Sequence, residues 1–223
     1  MNNFYNQPNF LLWLEAILLM IIGFSPTFIL VEAGYVQPIY YLLFLIYLPI
    51  LQFSFTPIFK LSGIYTYYSP MLLGYMANEK QIDLHSGGSF DFLFVMRRFN
   101  VGAETRNRIL LYHLEGMLNI ISLIEENKVP SSVNIVGTSY FFNDRTINKL
   151  GFEQEKPSIL YRINLMANFI DLIWMYSIAR GKFSIPKIWS AKKVKINGSK
   201  LVDKKEVIME LSERMSRRHK NDT

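Results

Sequence analysis

The sequence predicts an α/β protein in which an amino-terminal transmembrane hairpin of two helices precedes a cytoplasmic domain with a mixed sheet. Two mostly apolar runs, 10–31 and 39–59, come first, and each has the roughly 20 residues that a spanning helix needs. Short strand-like segments and one long amphipathic helix pattern follow them. All 24 Lys and Arg lie from Lys60 onward, whereas the charged residues before it are Glu15 and Glu32.

The hairpin is predicted to lie in the inner membrane with both termini in the cytoplasm, because basic residues mark the cytoplasmic side. A cleaved signal peptide is the alternative for the first run, which is long and lacks a preceding basic region. Pro26, Pro49 and Pro57 predict kinks, so a re-entrant hairpin is a further alternative. Glu15 is either a functional group inside the span or a side chain that reaches the inner interface.

The chain is divided into a hairpin (1–60), an α/β domain with an amphipathic surface helix (61–190) and a basic tail with a terminal helix (191–223). The elements predicted after the hairpin are, in order, strands at 64–76, 80–87 and 89–98, a helix at 104–127, a strand at 129–142, a short helix at 143–150, one or two strands at 152–165, an amphipathic helical segment at 164–189, a basic hairpin at 191–205 and a charged helix at 206–218. The amphipathic segment either lies on the bilayer or covers the sheet.

Composition excludes several classes of site and partner. The chain has no Cys, which excludes disulfides, thiolate zinc sites and a cysteine nucleophile, and its 3 His disfavour a histidine-rich metal site. We therefore expect no metal. The basic residues are dispersed and no nucleic-acid motif is present, so we expect no nucleic-acid partner. The expected partners are the lipid bilayer, acidic phospholipid head groups, and a second copy or another membrane protein.

A basic turn, MRRFNVGAETRNR at 96–108, is the first candidate site. Arg97 and Arg98 precede a glycine, Gly102, and Arg106 falls in the first turn of the following helix. Cations are unfavourable at a helix N-terminus unless an anion binds there, so the pattern predicts a phosphate site. In the alternative interpretation these arginines are exposed or pair with Glu104 and membrane lipid.

The succession of a strand, a basic glycine turn, a long helix, a strand, a short helix and a strand over residues 90–160 resembles the carboxyl-terminal half of the GNAT acyltransferase superfamily. In that family a Q/R-x-x-G-x-G/A turn holds the pyrophosphate of acyl-coenzyme A through its backbone amides, and a later helix carries an Asn and an LGF-like phrase. By resemblance, RRFNVGA would bind the cofactor through Arg97, Arg98, Val101, Gly102, Ala103 and Arg106, while Asn143 and KLGF at 149–152 correspond to the second part.

The chain also departs from the family pattern. No Arg stands three residues before Gly102, the turn has one glycine instead of two, and the tyrosine that often acts as general acid has no counterpart in the short helix. A degenerate, non-catalytic member of the family is therefore an alternative, because a fold survives such changes better than an activity does.

A second polar concentration lies in LHSGGSFDF, 84–92. Its polar side chains are those of His85, Ser86, Ser89 and Asp91. His85 and Asp91 are predicted to form a general base and the group that orients it. The alternatives are a Ser/His/Asp hydrolase without the usual G-x-S-x-G elbow, or a hairpin at Gly87–Gly88 in which Asp91 bonds the backbone. His113, among the leucines of the long helix, is predicted to be a packing residue.

Gly137 interrupts an apolar strand in GTSYFFNDR. In the GNAT interpretation a ligand passes close to it, with Tyr140 or Asn143 facing the substrate. In the other interpretation it marks a bulge before a helix cap. The resemblance implies acyl transfer from acyl-CoA or a carrier-protein thioester to an amine on a membrane-associated substrate. A non-catalytic membrane subunit or effector that oligomerises through its hairpin is the alternative.

Overall fold

Two apolar helical arms form the amino-terminal end of the protein. The computed structural model describes residues 2–138 and 144–221. In the first arm, α1 (Asn9–Phe24) is separated at Ser25 from α2 (Pro26–Val36), because Pro26 has no N–H to continue the helical bonding. A 3-10 turn (Pro38–Leu42) leads into the second arm, α3 (Leu43–Leu61).

Both arms are long and apolar enough to cross a bilayer. The segments Asn9–Val36 and Pro38–Leu61 have 28 and 24 residues, with mean hydropathies of 2.2 and 1.9. Only 11% and 28% of their most apolar windows are buried within the protein, unlike the core helix of a soluble protein. This uncovered apolar surface is consistent with membrane association.

The two arms pack directly on each other. A Cβ added at Gly23 of α1 would lie 2.2 Å from the Cβ of Ser54 in α3, so only glycine allows this approach. The Tyr47 hydroxyl donates to the carbonyl oxygen of Gly23, and Thr27 Oγ1 lies 3.0 Å from the same hydroxyl. Such close contacts through small residues, with polar groups bonded within the pair, are typical of helices in lipid.

The described residues after the arms include a six-stranded mixed sheet. Its strands are β1 (Tyr65–Ser69), β2 (Leu72–Tyr75), β3 (Gln81–Ser86), β4 (Asn134–Thr138), β5 (Glu153–Glu155) and β6 (Lys193–Asn197). They lie in the order β1-β2-β3-β4-β6-β5, and β3 and β4 are parallel while every other neighbouring pair is antiparallel. A parallel pair needs a crossover, which α5 (Ala103–Glu125) provides.

Helices cover the sheet and one of its ends. The remaining helices are a 3-10 turn (Asn3–Asn6), α4 (Ser89–Asp91), a π-helix (Phe92–Met96), α6 (Asp144–Lys149), α7 (Ile159–Ala167), α8 (Phe169–Arg180), a 3-10 turn (Ile188–Ser190), α9 (Gly198–Val202) and α10 (Lys205–Asn221). On α5, apolar residues spaced three and four positions apart, Leu114, Met117, Ile121 and Ile124, are buried in the main core. The long helix and the strands predicted at 64–76 and 80–87 are confirmed.

The strand predicted at 89–98 is wrong, because residues 89–96 are helical. Phe90 and Phe94, four positions apart, lie on one helical face with ring centroids 4.7 Å apart. Phe90 is fully buried between Phe4 and Phe53, so this helix anchors the arms to the sheet. Aromatic residues at every second position satisfy both the strand period and the four-residue helical spacing, and packing against the arms selects the helix.

Two predictions near the carboxyl terminus are also corrected. Residues 191–205 form neither a hairpin nor a tail, because β6 lies inside the sheet between β4 and β5. The side chain of Asn197 accepts the N–H of Ser199 and begins α9 instead of a turn. Within 152–165 only β5 is a strand, since Ser158 accepts the N–H of Tyr161 and starts α7.

Candidate functional site

A cavity of about 590 Å³ lies at the end of β3, where the sheet meets α3, α5, α7 and α8. Its polar wall includes Gln52 and Thr56 of α3, His113 of α5 and Asn164 of α7, and apolar side chains from the sheet and α8 complete it. A space of this size, mostly apolar with a few polar groups, is typical of a small-molecule site. Because part of α3 lines it, the cavity is contiguous with a candidate membrane span.

The cavity reaches both faces of the sheet. Successive side chains of a strand point to opposite faces, so Leu84 and Ser86 point towards α5, while Asp83 and His85 point away from it. All four residues line the cavity. The pairing of β3 with β4 ends at Leu84 and Gly137, and a Cβ at Gly137 would lie 3.3 Å from the Leu84 carbonyl oxygen. Gly137 thus allows close strand contact beside the cavity. The approach of a ligand to Gly137 stays a prediction.

Ser86 and His113 form a hydrogen-bonded pair in the cavity wall. Ser86 Oγ lies 2.8 Å from His113 Nε2, and His113 Nδ1 lies 2.7 Å from the carbonyl oxygen of Ile109. A carbonyl oxygen can only accept, so Nδ1 carries the proton and Nε2 accepts from the serine. A nucleophile, a base and a group that orients the base are the three parts of an activated hydroxyl.

Burial lowers the pKa of His113 below its ordinary value, so the imidazole is neutral near pH 7 and keeps its Nε2 lone pair. His113 is 7% exposed and sits on the core face of α5, as the sequence predicted. The sequence did not indicate its partner, because Ser86 lies 27 positions earlier. The one sequence feature that could have marked His113 as a candidate site residue is that it is a single histidine on an otherwise apolar helix face.

His85 and Asp91 do not form the predicted pair. The carboxylate beside His85 is that of Asp83, with Oδ1 3.5 Å from His85 Nε2, and both side chains are partly exposed. Asp91 is fully buried, and its two carboxylate oxygens lie 2.9 and 2.8 Å from the donating hydroxyl of Tyr67. Burial raises the pKa of Asp91 to about 7, although the Tyr67 hydrogen bonds oppose the shift. Asp91 therefore braces the helix at the end of β3 while His85 lines the cavity.

Ser89 adds a further polar group beside the Gly87–Gly88 turn. It is 9% exposed and lines the cavity. Within the described part of the chain its Oγ has no hydrogen-bond partner. A buried hydroxyl without a partner carries a free-energy cost, which a hydrogen bond to a bound ligand would remove.

The basic turn before α5 is built differently from the predicted phosphate cradle. The N–H of Gly102 donates to the carbonyl oxygen of Ile178 at 2.7 Å, so this amide is already occupied. Gly102 has φ +97°, and its approach to Gly181 lets the ends of α5 and α8 meet. The glycine thus serves a helix contact.

The side chains around this turn also lie apart from the cavity. Arg98 and Arg108 stack on the Phe99 ring, and Arg98 donates to the Tyr112 hydroxyl. The exposed residues of the turn are Arg97, Arg98, Asn100, Val101, Ala103 and Arg106. None of these residues lines the cavity, and ten helical residues, about 15 Å, separate Ala103 from His113.

We expect Gly102→Ala to lower the free energy of unfolding by about 1–3 kcal/mol, because a Cβ is strained at this positive φ. Thermal unfolding in detergent measures the change. Gly88→Ala is the matched control, since Gly88 has φ −79° and no atom within 4 Å of an added Cβ. Equal stability of the two variants would contradict a structural role for Gly102.

Tyr140 and Asn143 lie outside the described residues. Among the described residues, no three His, Asp or Glu side chains form a group able to hold a metal ion. Comparison of this chain with models of known protein families, with curated proteins and with solved structures found no match.

Proposed function

We propose that this protein is a membrane-anchored acyltransferase that moves an acyl group from a thioester, acyl-CoA or a carrier-protein thioester, to an amine on a membrane-associated substrate. The observation that carries the proposal is the Ser86–His113 pair, 2.8 Å apart in the wall of a cavity that α3 also lines. The inner membrane, with both termini in the cytoplasm, is the proposed location.

In the first step, Ser86 Oγ attacks the thioester carbonyl carbon while His113 Nε2 takes the serine proton. The C–S bond breaks, His113 returns the proton to the leaving thiolate, and the acyl group remains as an ester on Ser86. Ser89 Oγ, which has no partner among the described residues, donates to the developing oxyanion. The neutral state of His113 supports its role as the base.

In the second step, the amine attacks the ester carbonyl carbon and the bond to Ser86 Oγ breaks. His85, held near Asp83 on the other face of the sheet, first takes a proton from the incoming ammonium group and later releases it to water. His113 Nε2 then takes a second proton from the attacking amine and gives it to Ser86 Oγ as the ester bond breaks. The cavity reaches both faces at this point, which supports separate approaches for the acyl donor and the amine.

The order of elements supports the GNAT resemblance at the level of fold. β3, α5, β4, α6 and β5 occur in this order, with α4 and the π-helix between β3 and α5, and β3 and β4 are parallel neighbours. The strand that precedes α5 is β3, not residues 89–98. Its last residue, Ser86, begins the segment Ser86–Ser89 in the cavity wall. We therefore propose that the donor binds at Ser86–Ser89.

Release of the donor thiol tests the function. The chain has no Cys, so a thiol-reactive chromophore reports only the thiol that the donor releases. Full-length protein in nanodiscs containing phosphatidylethanolamine is supplied with a long-chain acyl-CoA or an acyl carrier protein, and N-acylated lipid is measured by mass spectrometry. We expect thiol release and N-acyl lipid together. A rate equal to that of empty nanodiscs with both donors would contradict the proposal.

The alternative, a non-catalytic subunit that oligomerises through its hairpin, has less support from the contacts of the hairpin. Glu15 Oε2 accepts from Gln7 Nε2 of the same chain at 3.0 Å. Tyr47 and Thr27 likewise bond within the hairpin. Glu15, Thr27 and Tyr47 thus have hydrogen-bond partners without a second copy. If wild type and Glu15→Ala are both monomers in detergent, the result counts against a subunit that oligomerises through its hairpin.

A further inference from the structure

Helix α7 is apolar on two opposite faces. Its inner face, with Tyr161 and Leu165, lines the cavity. Its outer face carries Ile159, Ile163 and Met166, which are 78%, 56% and 53% exposed. Among the described residues, nothing covers this outer face. An exposed apolar cluster of this kind marks a site of contact with a membrane or a protein.

A loop extends this apolar surface beside α7. In the loop, Phe183, Ile185 and Trp189 are 77%, 58% and 75% exposed. Trp189 and Arg162 of α7 line one small depression, which places the loop next to the helix. We call α7 residues 159, 163 and 166 together with loop residues 183, 185 and 189 the outer apolar patch.

The charged residues within the two segments that carry the outer apolar patch are all positive. Lys156 and Arg162 flank the α7 side, and Lys182 and Lys187 alternate with the loop aromatics; all four are exposed. Segments 156–169 and 181–192 contain no Asp or Glu. Apolar and aromatic side chains interleaved with Lys and Arg are typical of a surface that lies in the interface of a bilayer with anionic head groups.

The position of the patch favours lipid over a protein partner. The helix that follows α7, α8, contacts α3, one of the two candidate spans. Since a membrane that holds α3 would lie next to this part of the domain, α7 needs no additional molecule to be covered. A water-soluble acidic protein would match the charges but not the exposed isoleucines, phenylalanine and tryptophan.

We propose that the outer apolar patch rests on an anionic bilayer surface, so that α7 is the partition between the lipid and the cavity. One face of α7 contacts head groups and upper acyl chains, and the other contacts the bound ligand. An amphiphilic substrate therefore passes around α7 without crossing water. The membrane contact itself does not depend on the acyltransferase proposal.

The absence of Cys allows a direct test with single labelled positions. Ile163→Cys, Phe183→Cys and Trp189→Cys are made in the full chain, labelled with bimane and placed one copy per nanodisc in phosphatidylcholine with phosphatidylglycerol. The control is Glu79→Cys, because Glu79 is exposed in the turn between β2 and β3, at the opposite end of β3 from the cavity. Lipids brominated near the head group serve as the quencher.

We expect the brominated lipids to quench the three patch labels at least twofold and to leave the Glu79→Cys label unchanged. Lys182→Gln with Lys187→Gln should weaken the quenching in discs that contain phosphatidylglycerol. Quenching at the patch no greater than at Glu79→Cys would overturn the proposal. The labels would also be compared in discs that hold two copies of the protein. Shielding of the labels from water that appears only in these discs would overturn the proposal and would assign the patch to a second copy. Neither readout uses thioester cleavage, so failure here is distinct from failure of the acyltransferase proposal.

Discussion

Replacing His113 with glutamine is expected to lower the rate of thiol release by about 10²- to 10⁴-fold, the usual contribution of a general base. The glutamine side chain retains a polar group near Ser86 but cannot accept and return a proton. Ser86→Ala should cause a loss of similar size, because it removes the attacking oxygen. The double variant should be no slower than either single variant, since the two residues act as one unit.

Ser69→Ala is the matched control for Ser86→Ala, because Ser69 is a buried serine that does not line the cavity. Its rate should stay within about twofold of wild type, and thermal unfolding should show that all variants are folded. Rates within twofold of wild type for both His113→Gln and Ser86→Ala would exclude the pair from the reaction.

The proposed second step gives the enzyme an intermediate that can be trapped. His85→Gln should slow the attack of the amine but leave the first thiol release intact. Incubation of this variant with acyl-CoA and without amine should therefore add the mass of one acyl group, located at Ser86 by peptide mass spectrometry. Thiol release that occurs only when the amine is present, with no added mass in its absence, would argue for direct transfer to the amine.

The stability of the protein is expected to fall by about 3 kcal/mol as pH rises from 4 to 7, through Asp91 alone. Its pKa is raised from 3.8 to about 7, mainly because the carboxyl group is buried. Between these two values the folded state keeps a proton that the unfolded state releases, so each rise in pH favours unfolding. Below the pKa of the unfolded state, Asp91 is protonated in both states and stability does not depend on its titration. Above the pKa of the folded state, Asp91 is ionised in both states and the free energy of unfolding has fallen by its full amount.

Asp91→Asn should remove this pH dependence, because an amide stays neutral and fits the same space. Thermal unfolding of wild type and variant in detergent from pH 4 to pH 8 measures the difference. His113, with its lowered pKa, acts in the opposite sense below about pH 6.5, so the comparison of the two proteins isolates Asp91. Asp203→Asn, at an exposed position, is the control. Parallel profiles for wild type and Asp91→Asn would contradict burial as the source of the shift.

Patterns among neighbouring residues correctly predicted the helices whose formation depends mainly on their own sequence. The three- and four-residue spacing of apolar side chains predicted α5, and Gly151, with φ +78°, ends the short helix α6 as expected. The segment 89–96 was assigned wrongly because its aromatic spacing suits two periods and the arms decide between them. The segment from 191 was assigned wrongly because its local sequence does not show that a short basic strand pairs with neighbours on both sides.

The candidate site was only partly predictable. His85, Ser86 and Ser89 lie in a segment whose polar character is visible in the sequence, and all three line the cavity. The basic turn at 96–108 suggested a phosphate site, but its glycine is explained by the contact with Gly181. A glycine needed for a ligand and a glycine needed for a neighbouring helix have the same local sequence signature.

By itself, the sequence determined that two long apolar arms lead into a basic α/β body without cysteine, because hydropathy and periodicity are properties of neighbouring residues. Only the tertiary structure decided that Ser86 meets His113 and that α7 lies between the cavity and an uncovered apolar surface. These relations depend on the crossover of α5 between parallel strands and on the docking of α8 against α3, which bring together residues far apart in the chain.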